Sequence, residues 1–73
     1  IKCFVNNELK QDGNTRDMIF SIGDILCFVS SIMTLLPGDV ILTGTPEGVS
    51  KVGPGDEIKI EIETIGTLIN TIK

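Results

Sequence analysis

Histidine, tryptophan and tyrosine are absent from this sequence, and its 73 residues include only two cysteines. Without histidine, no Ser/His or Cys/His nucleophilic pair can be built from these residues. Cys3 and Cys27 have neither the density nor the spacing of a disulfide scaffold or a zinc site. Both are expected to be reduced core residues, because a buried free cysteine behaves as a small hydrophobe, and that usage favours the cytoplasm. Basic residues are few and scattered. Six Lys and Arg against ten Asp and Glu give a net charge of -4, and no segment gathers the cations into a patch that would grip a phosphate backbone, so no nucleic-acid partner is expected. Long apolar runs are missing too: the stretch 25–36 is broken by Ser30, Ser31 and Thr34 and is too short to span a bilayer. No membrane or signal segment is evident. The aromatics are Phe4, Phe20 and Phe28 only.

What is present is a globular composition, 41% apolar, with a core to be built from Ile, Leu and Val. At this length a hydrophobic core only just offsets chain entropy, so independent stability is doubtful. The chain begins at Ile1 with no initiator Met, and it is expected to be a fragment of a longer protein.

Residues 1–11 read as a hairpin. Ile1, Cys3 and Val5 alternate with Lys2 and Phe4, Asn6-Asn7 tolerates the positive φ of a tight turn, and Glu8 to Gln11 returns. Asp12-Gly13-Asn14-Thr15 is a loop, and Arg16 and Asp17 are expected on the solvated surface. A helix is expected from Ser21, which can cap the first turn with Asp24 three residues on. Ile22, Ile25, Leu26, Val29, Ile32, Met33 and Leu36 recur at steps of three and four, an amphipathic stripe that needs packing to persist. Pro37-Gly38 is expected to end it. Val40-Ile41-Leu42-Thr43, a continuous apolar run between breakers, predicts a strand buried on both faces. Pro37-Gly38-Asp39 recurs as Pro54-Gly55-Asp56, and Pro-Gly fits the centre of a type II turn. Glu57 to Glu63 alternates Ile58, Ile60 and Ile62 against charged residues, as a half-buried antiparallel strand should, and 67–72 returns beside it after a turn at Thr64-Ile65-Gly66. That last hairpin needs a sheet to join.

The chemistry-bearing stretch is Leu42-Thr43-Gly44-Thr45-Pro46-Glu47-Gly48-Val49. It lacks the Gly-Lys-Ser/Thr ending of a phosphate loop and fits no dinucleotide glycine pattern. Two readings stay open on these residues: a structural turn, or a strand end whose Thr hydroxyls and N–H groups bind a carboxylate or polarised carbonyl. Glu61 and Glu63 share a strand face, as two cation ligands would, but alternating Glu and Lys on a strand is ordinarily a solvated face that discourages edge pairing.

Several stretches together resemble the C-terminal part of the fumarylacetoacetate hydrolase family. They are Val5-Asn6-Asn7-Glu8-Leu9-Lys10-Gln11 with Asp12-Gly13-Asn14-Thr15, Met18-Ile19-Phe20-Ser21, Leu36 through Val49, and Gly66-Thr67-Leu68-Ile69-Asn70-Thr71. The resemblance covers nearly the whole chain in order, and the run Gly38-Asp39-Val40-Ile41-Leu42-Thr43-Gly44-Thr45-Pro46 is its most specific part. It implies an α+β, mostly β fold, a C-terminal fragment of a mixed β-sandwich roll with one amphipathic helix, residues 1–73 being part of a single catalytic domain. It further implies a homodimer that binds Mg²⁺ or Mn²⁺ and acts on a small-molecule oxo acid or 1,3-dicarbonyl acid by carbon–carbon hydrolysis, decarboxylation or isomerisation. In such enzymes the metal polarises the enolisable carbonyl, and in the hydrolases a His/Glu pair activates water.

Of the family's site residues, the resemblance carries only the substrate-binding turn onto this chain. Thr45 matches the threonine that hydrogen-bonds a substrate oxygen, with Gly44 and Pro46 shaping the turn. The metal carboxylates, the catalytic His and the active-site Lys are implied upstream of Ile1, in the rest of the domain, so no catalytic or metal-binding residue is expected here and the fragment is expected to be inactive by itself. The rival expectation is a non-catalytic module whose family-like sheet serves folding or association.

Overall fold

A computed structural model describes residues 1–73. They divide into two units, Ile1–Gly13 with Thr45–Lys73, and Asn14–Gly44. The first unit is a four-stranded sheet in the order β2-β1-β3-β4, with β1 Lys2–Val5, β2 Glu8–Asp12, β3 Glu57–Ile62 and β4 Gly66–Thr71. Every ladder is antiparallel. Both expected hairpins are therefore present, and the C-terminal one finds the sheet it needs: β3 pairs with β1, Val5 opposite Ile58 and Lys2 opposite Glu61.

The first hairpin turns on Asn6 and Asn7, at φ 50° and 66°, a left-handed conformation that asparagine tolerates better than most residues. Asn6 also ties this turn to the centre of the sheet. Its backbone N–H donates to the Glu57 carbonyl, its Oδ1 accepts from the Glu57 N–H, and its Nδ2 donates to the Asp56 carboxylate. In β2 the register slips: Cys3 faces Gln11 and Phe4 faces Leu9, so Lys10 is an extra, bulged residue.

The repeated Pro-Gly-Asp turns are built alike. Gly38 and Gly55 take φ of 92° and 90°, and Asp39 and Asp56 donate backbone N–H groups to the carbonyls of Leu36 and Gly53. Each aspartate then accepts the return bond at Oδ2, from the Leu36 N–H at 2.7 Å and the Gly53 N–H at 2.8 Å. The Asp three residues after the start thus closes the turn from both sides, the local chemistry for which Asp is favoured there.

Strand β3 ends at Ile62, one residue short of expectation, because Glu63 already lies in the turn with Thr64 at φ 65°. Its charged face is not simply wet. Lys59 lies over the ring of its cross-strand partner Phe4, with Nζ 4.6 Å from the centroid, and pairs with Glu61 at 3.6 Å. All six β3 residues are half-buried.

In the second unit, Asn14 caps a short 3₁₀ turn, Thr15–Asp17, by accepting from the Arg16 N–H. Arg16 and Asp17 lie on the surface, 4.0 Å apart. Helix α1 spans Ile22–Ile32, and Ser21 and Asp24 form the full reciprocal capping box. The helix stops four residues earlier than the stripe predicted. Met33 is extended, at φ -145° and ψ 158°, and the hydroxyls of Ser30 and Ser31 donate to the carbonyls of Cys27 and Phe28, competing with the last helical turn.

Three expectations are overturned. Val40-Ile41-Leu42-Thr43 is not a strand, since these residues contain no partner for its ladder, and Val40 and Leu42 are 81% and 93% exposed. No residue is fully buried, so the Ile, Leu and Val core does not form within this chain; along α1 only Ile25 and Val29 are even half-buried. The cysteines are free, as expected, but neither is a core residue: Cys3 is half-buried and Cys27 exposed. A sheet one layer deep and a helix of 11 residues offer too little surface to enclose a side chain on every side.

Candidate functional site: the Gly-Thr-Pro turn on strand β2

Residues 43–50 have no regular secondary structure, and their backbone N–H groups donate no hydrogen bond within the chain. The loop is nonetheless anchored. Gln11, the β2 residue after the bulge, donates from Nε2 to Thr45 Oγ1 and to the Pro46 carbonyl, both at 2.8 Å. The Pro46 ring rests above Gly13, where an added Cβ would lie 3.3 Å from Pro46 Cγ. Two residues later, Gly48, at φ 100°, approaches the carbonyl of bulged Lys10 so closely that any Cβ would collide with that oxygen. A bulge re-aims the strand and exposes a carbonyl out of register, and here both consequences receive the same loop.

Gly44 occupies φ 115°, a conformation that side-chain-bearing residues rarely adopt, with no atom within 4 Å of where its Cβ would be. It leads into Thr45, which is exposed. Of the substrate-binding residues expected from the sequence, Thr45 and Pro46 are thus tied to one anchor while Gly44 sets the backbone that presents them. Next to the turn is an open groove walled by Cys3, Val5, Val49, Val52 and Ile58, to which Lys10, Gln11 and Thr45 contribute polar atoms. The Lys10 ammonium pairs with Glu8 at 3.3 Å.

Gln11 was not among the expected site residues. Its position one residue before the Asp12-Gly13 loop was visible, but its reach across 34 residues to Thr45 depends on the bulge, which no sequence pattern marked. In the sequence Asn6 shows only a tolerance for positive φ; its three bonds to residues 56 and 57 come from the fold.

The acidic side chains do not build a cation site. No three of the Asp, Glu or Cys side chains converge as ligands, and many are committed elsewhere: Asp24 to the helix cap, Asp39 and Asp56 to their turns, Glu8 to Lys10 and Glu61 to Lys59. Glu63 lies in the terminal turn, off the strand face it was expected to share with Glu61. A divalent cation therefore does not fit these residues as its holders. At Asp56, the Gly53 N–H, then the Asn6 carboxamide, hold the carboxyl below its ordinary value, against an opposing effect of burial.

The bifunctional isomerase/decarboxylase of 4-hydroxyphenylacetate degradation from Escherichia coli is 51% identical over 72 residues, which is 99% of this chain and 17% of that protein. Among solved structures, maleylpyruvate hydrolase from Sphingobium sp. SYK-6, in complex with manganese(II) and pyruvate, superposes with a TM-score of 0.93 at 45% identity, over 97% of this chain and 27% of that one. The 2-hydroxyhepta-2,4-diene-1,7-dioate isomerase from Mycobacterium marinum gives 0.91 at 49% identity, over 97% of this chain and 28% of that one. The chain thus spans less than a third of each of these relatives. The family described as fumarylacetoacetate (FAA) hydrolase C-terminal matches all of residues 1–73, and the chain belongs to the fumarylacetoacetate hydrolase family.

Proposed function

We propose that residues 1–73 are the C-terminal part of one catalytic domain of a divalent-metal-dependent enzyme. It acts on a 2-oxo or 1,3-dicarbonyl acid by carbon–carbon hydrolysis, decarboxylation or isomerisation. Gly44, Thr45 and Pro46 are its substrate-binding turn. The observation that carries this reading is the anchoring of the turn: Gln11 and Gly13 fix it to β2, yet the Thr45 side chain and the N–H groups of 43–50 are left open. A hydroxyl held on a fixed backbone is suited to donate to a carboxylate or carbonyl oxygen, and fixed donors near developing negative charge favour the reacting state.

The relatives' names support the substrate class, since they comprise a hydrolase, an isomerase and an isomerase/decarboxylase, the first solved with manganese and pyruvate. The metal, Mg²⁺ or Mn²⁺, is then held by residues of the domain outside this chain, as are the catalytic groups. The exposed apolar residues fit the same reading: Ile19 and Leu42, 95% and 93% exposed, and the outer positions of α1 are surfaces that the remainder of a β-sandwich roll would cover. A homodimer in the cytoplasm completes the proposal; no helix here is long and apolar enough to cross a membrane.

Thr45→Val and Thr45→Ser in the complete protein test it. Loss of one hydrogen bond to a charged oxygen is expected to lower kcat/KM by roughly ten- to a hundredfold in the valine variant. Serine should restore most of it, and metal affinity should be unchanged in both. Unaltered kinetics in Thr45→Val would remove the turn from the site.

A further inference from the structure

The Gln11 carboxamide commits both amide hydrogens to the Gly-Thr-Pro turn. The Pro46 carbonyl oxygen can only accept, so the Gln11 atom 2.8 Å from it is the nitrogen. The same nitrogen lies 2.8 Å from Thr45 Oγ1 and donates to it. A hydroxyl that accepts from Gln11 cannot also point its own hydrogen at Gln11. The Thr45 O–H is therefore turned away from β2, and it reaches an external acceptor without first breaking a bond inside the chain. The bulge at Lys10 aims Gln11 at the turn, and the missing side chain of Gly48 lets the loop lie close enough to the Lys10 carbonyl for Gln11 to reach it.

We infer that Gln11 is a positioning residue: by donating to both Thr45 Oγ1 and the Pro46 carbonyl it fixes Thr45 as a hydrogen-bond donor, so that the turn selects oxygen acceptors, carboxylate or enolate, over ligands that would donate. This rests on the reading of Thr45 as a substrate contact. A glutamine serves where a glutamate of the same length would not. An ionised carboxylate accepts from Thr45, draws the hydroxyl hydrogen back toward β2, and faces the Pro46 carbonyl with like partial charge. Leucine leaves the hydroxyl free to rotate, so it keeps donor capacity at the cost of orientation only.

The test compares Gln11→Glu, Gln11→Leu and Thr45→Val, singly and with each Gln11 variant combined with Thr45→Val, in the complete protein acting on its oxo acid. Gln11→Glu is expected to lower kcat/KM as far as Thr45→Val does, roughly ten- to a hundredfold, and Gln11→Leu by only a few-fold. The deficit of Gln11→Glu relative to wild type should shrink as pH falls toward the carboxyl's own pKa, since a protonated carboxyl donates again. In the Thr45→Val background both Gln11 changes should cost almost nothing further, because the interaction they act through is already gone. If the Gln11 losses persist undiminished in that background, Gln11 merely holds the loop and the inference is overturned. If Gln11→Glu does not fold, the Gln11→Leu and Thr45→Val pair still decides: additive losses overturn the inference, non-additive losses support it. Wild-type kinetics in Thr45→Val overturn the substrate-contact reading, and this inference with it; a tenfold loss there with wild-type kinetics in both Gln11 variants overturns this inference alone.

Discussion

Replacing Gly48 by alanine puts a methyl group against the Lys10 carbonyl oxygen, at a backbone φ of 100°. Two outcomes are available to the loop. If it stays docked, the alanine bears an unfavourable backbone conformation, about 1–3 kcal/mol, and Lys10 must also shift. If it lifts, the conformational strain relaxes but the two bonds from Gln11 are lost, about 0.5–1.5 kcal/mol each. Only the strain on the docked form is new in the variant, so at 1.4 kcal/mol per tenfold it reduces the docked population relative to the lifted one by roughly five- to a hundred-and-fifty-fold. That is enough to offset the opposition of the Gln11 bonds to lifting, about 1–3 kcal/mol in all. Substrate binding by Thr45 should weaken in proportion once the lifted form predominates. The assay is kcat/KM in the complete protein, with NMR chemical shifts of residues 43–50 and of the Gln11 side-chain amide reporting the loop directly. Gly53→Ala is the control: its Cβ would meet no atom within 4 Å, and the N–H that serves Asp56 is retained. Gly13→Ala, with Pro46 Cγ at 3.3 Å, should fall between the two. If Gly48→Ala behaves like Gly53→Ala in both measurements, the docked loop is not the state that binds substrate.

Residues 1–73 expressed by themselves should show no cooperative thermal unfolding, because no side chain is fully buried, and no oxaloacetate decarboxylation or acylpyruvate hydrolysis with Mg²⁺ or Mn²⁺. A sharp transition, or activity from this chain, would contradict the placement of core and catalyst elsewhere in the domain. For Asp56 the sign follows from a lowered folded-state pKa. Its contribution to stability is complete above the ordinary value of 3.8 and is lost as pH falls through the lower folded value. Carboxyl NMR titration of the complete protein should find Asp56 below 3.8, and Asn6→Ala should move it back toward that value. An unmoved titration would detach Asn6 from the turn.

The parts legible from the sequence are those governed by neighbours in the chain. Asn6-Asn7, the Ser21 and Asp24 cap and the two Pro-Gly-Asp turns each depend on contacts within about four residues, and each formed where expected. Long-range context decided the rest. Val40 to Thr43 has the composition of a buried strand, but a strand requires a partner, and these residues provide none. The stripe on α1 has the right spacing, but it counts the sides of an amphipathic helix without supplying the surface that covers one of them. At the proposed site, glycine and proline mark Gly44 to Pro46 in the sequence, and the structure gives Gly44 a positive φ and anchors Thr45 and Pro46 to Gln11. Gln11 was not legible, because its orientation depends on a one-residue slip between β1 and β2 that alternation of apolar residues does not record.

The most direct measurement is a crystal structure of the complete protein with a bound 2-oxo acid or with oxalate, which mimics one without reacting. The account predicts a ligand oxygen within about 3 Å of Thr45 Oγ1, Gln11 Nε2 still donating to that hydroxyl, and the cation held by carboxylates outside residues 1–73. A ligand seated elsewhere, with Thr45 facing only solvent, would contradict it.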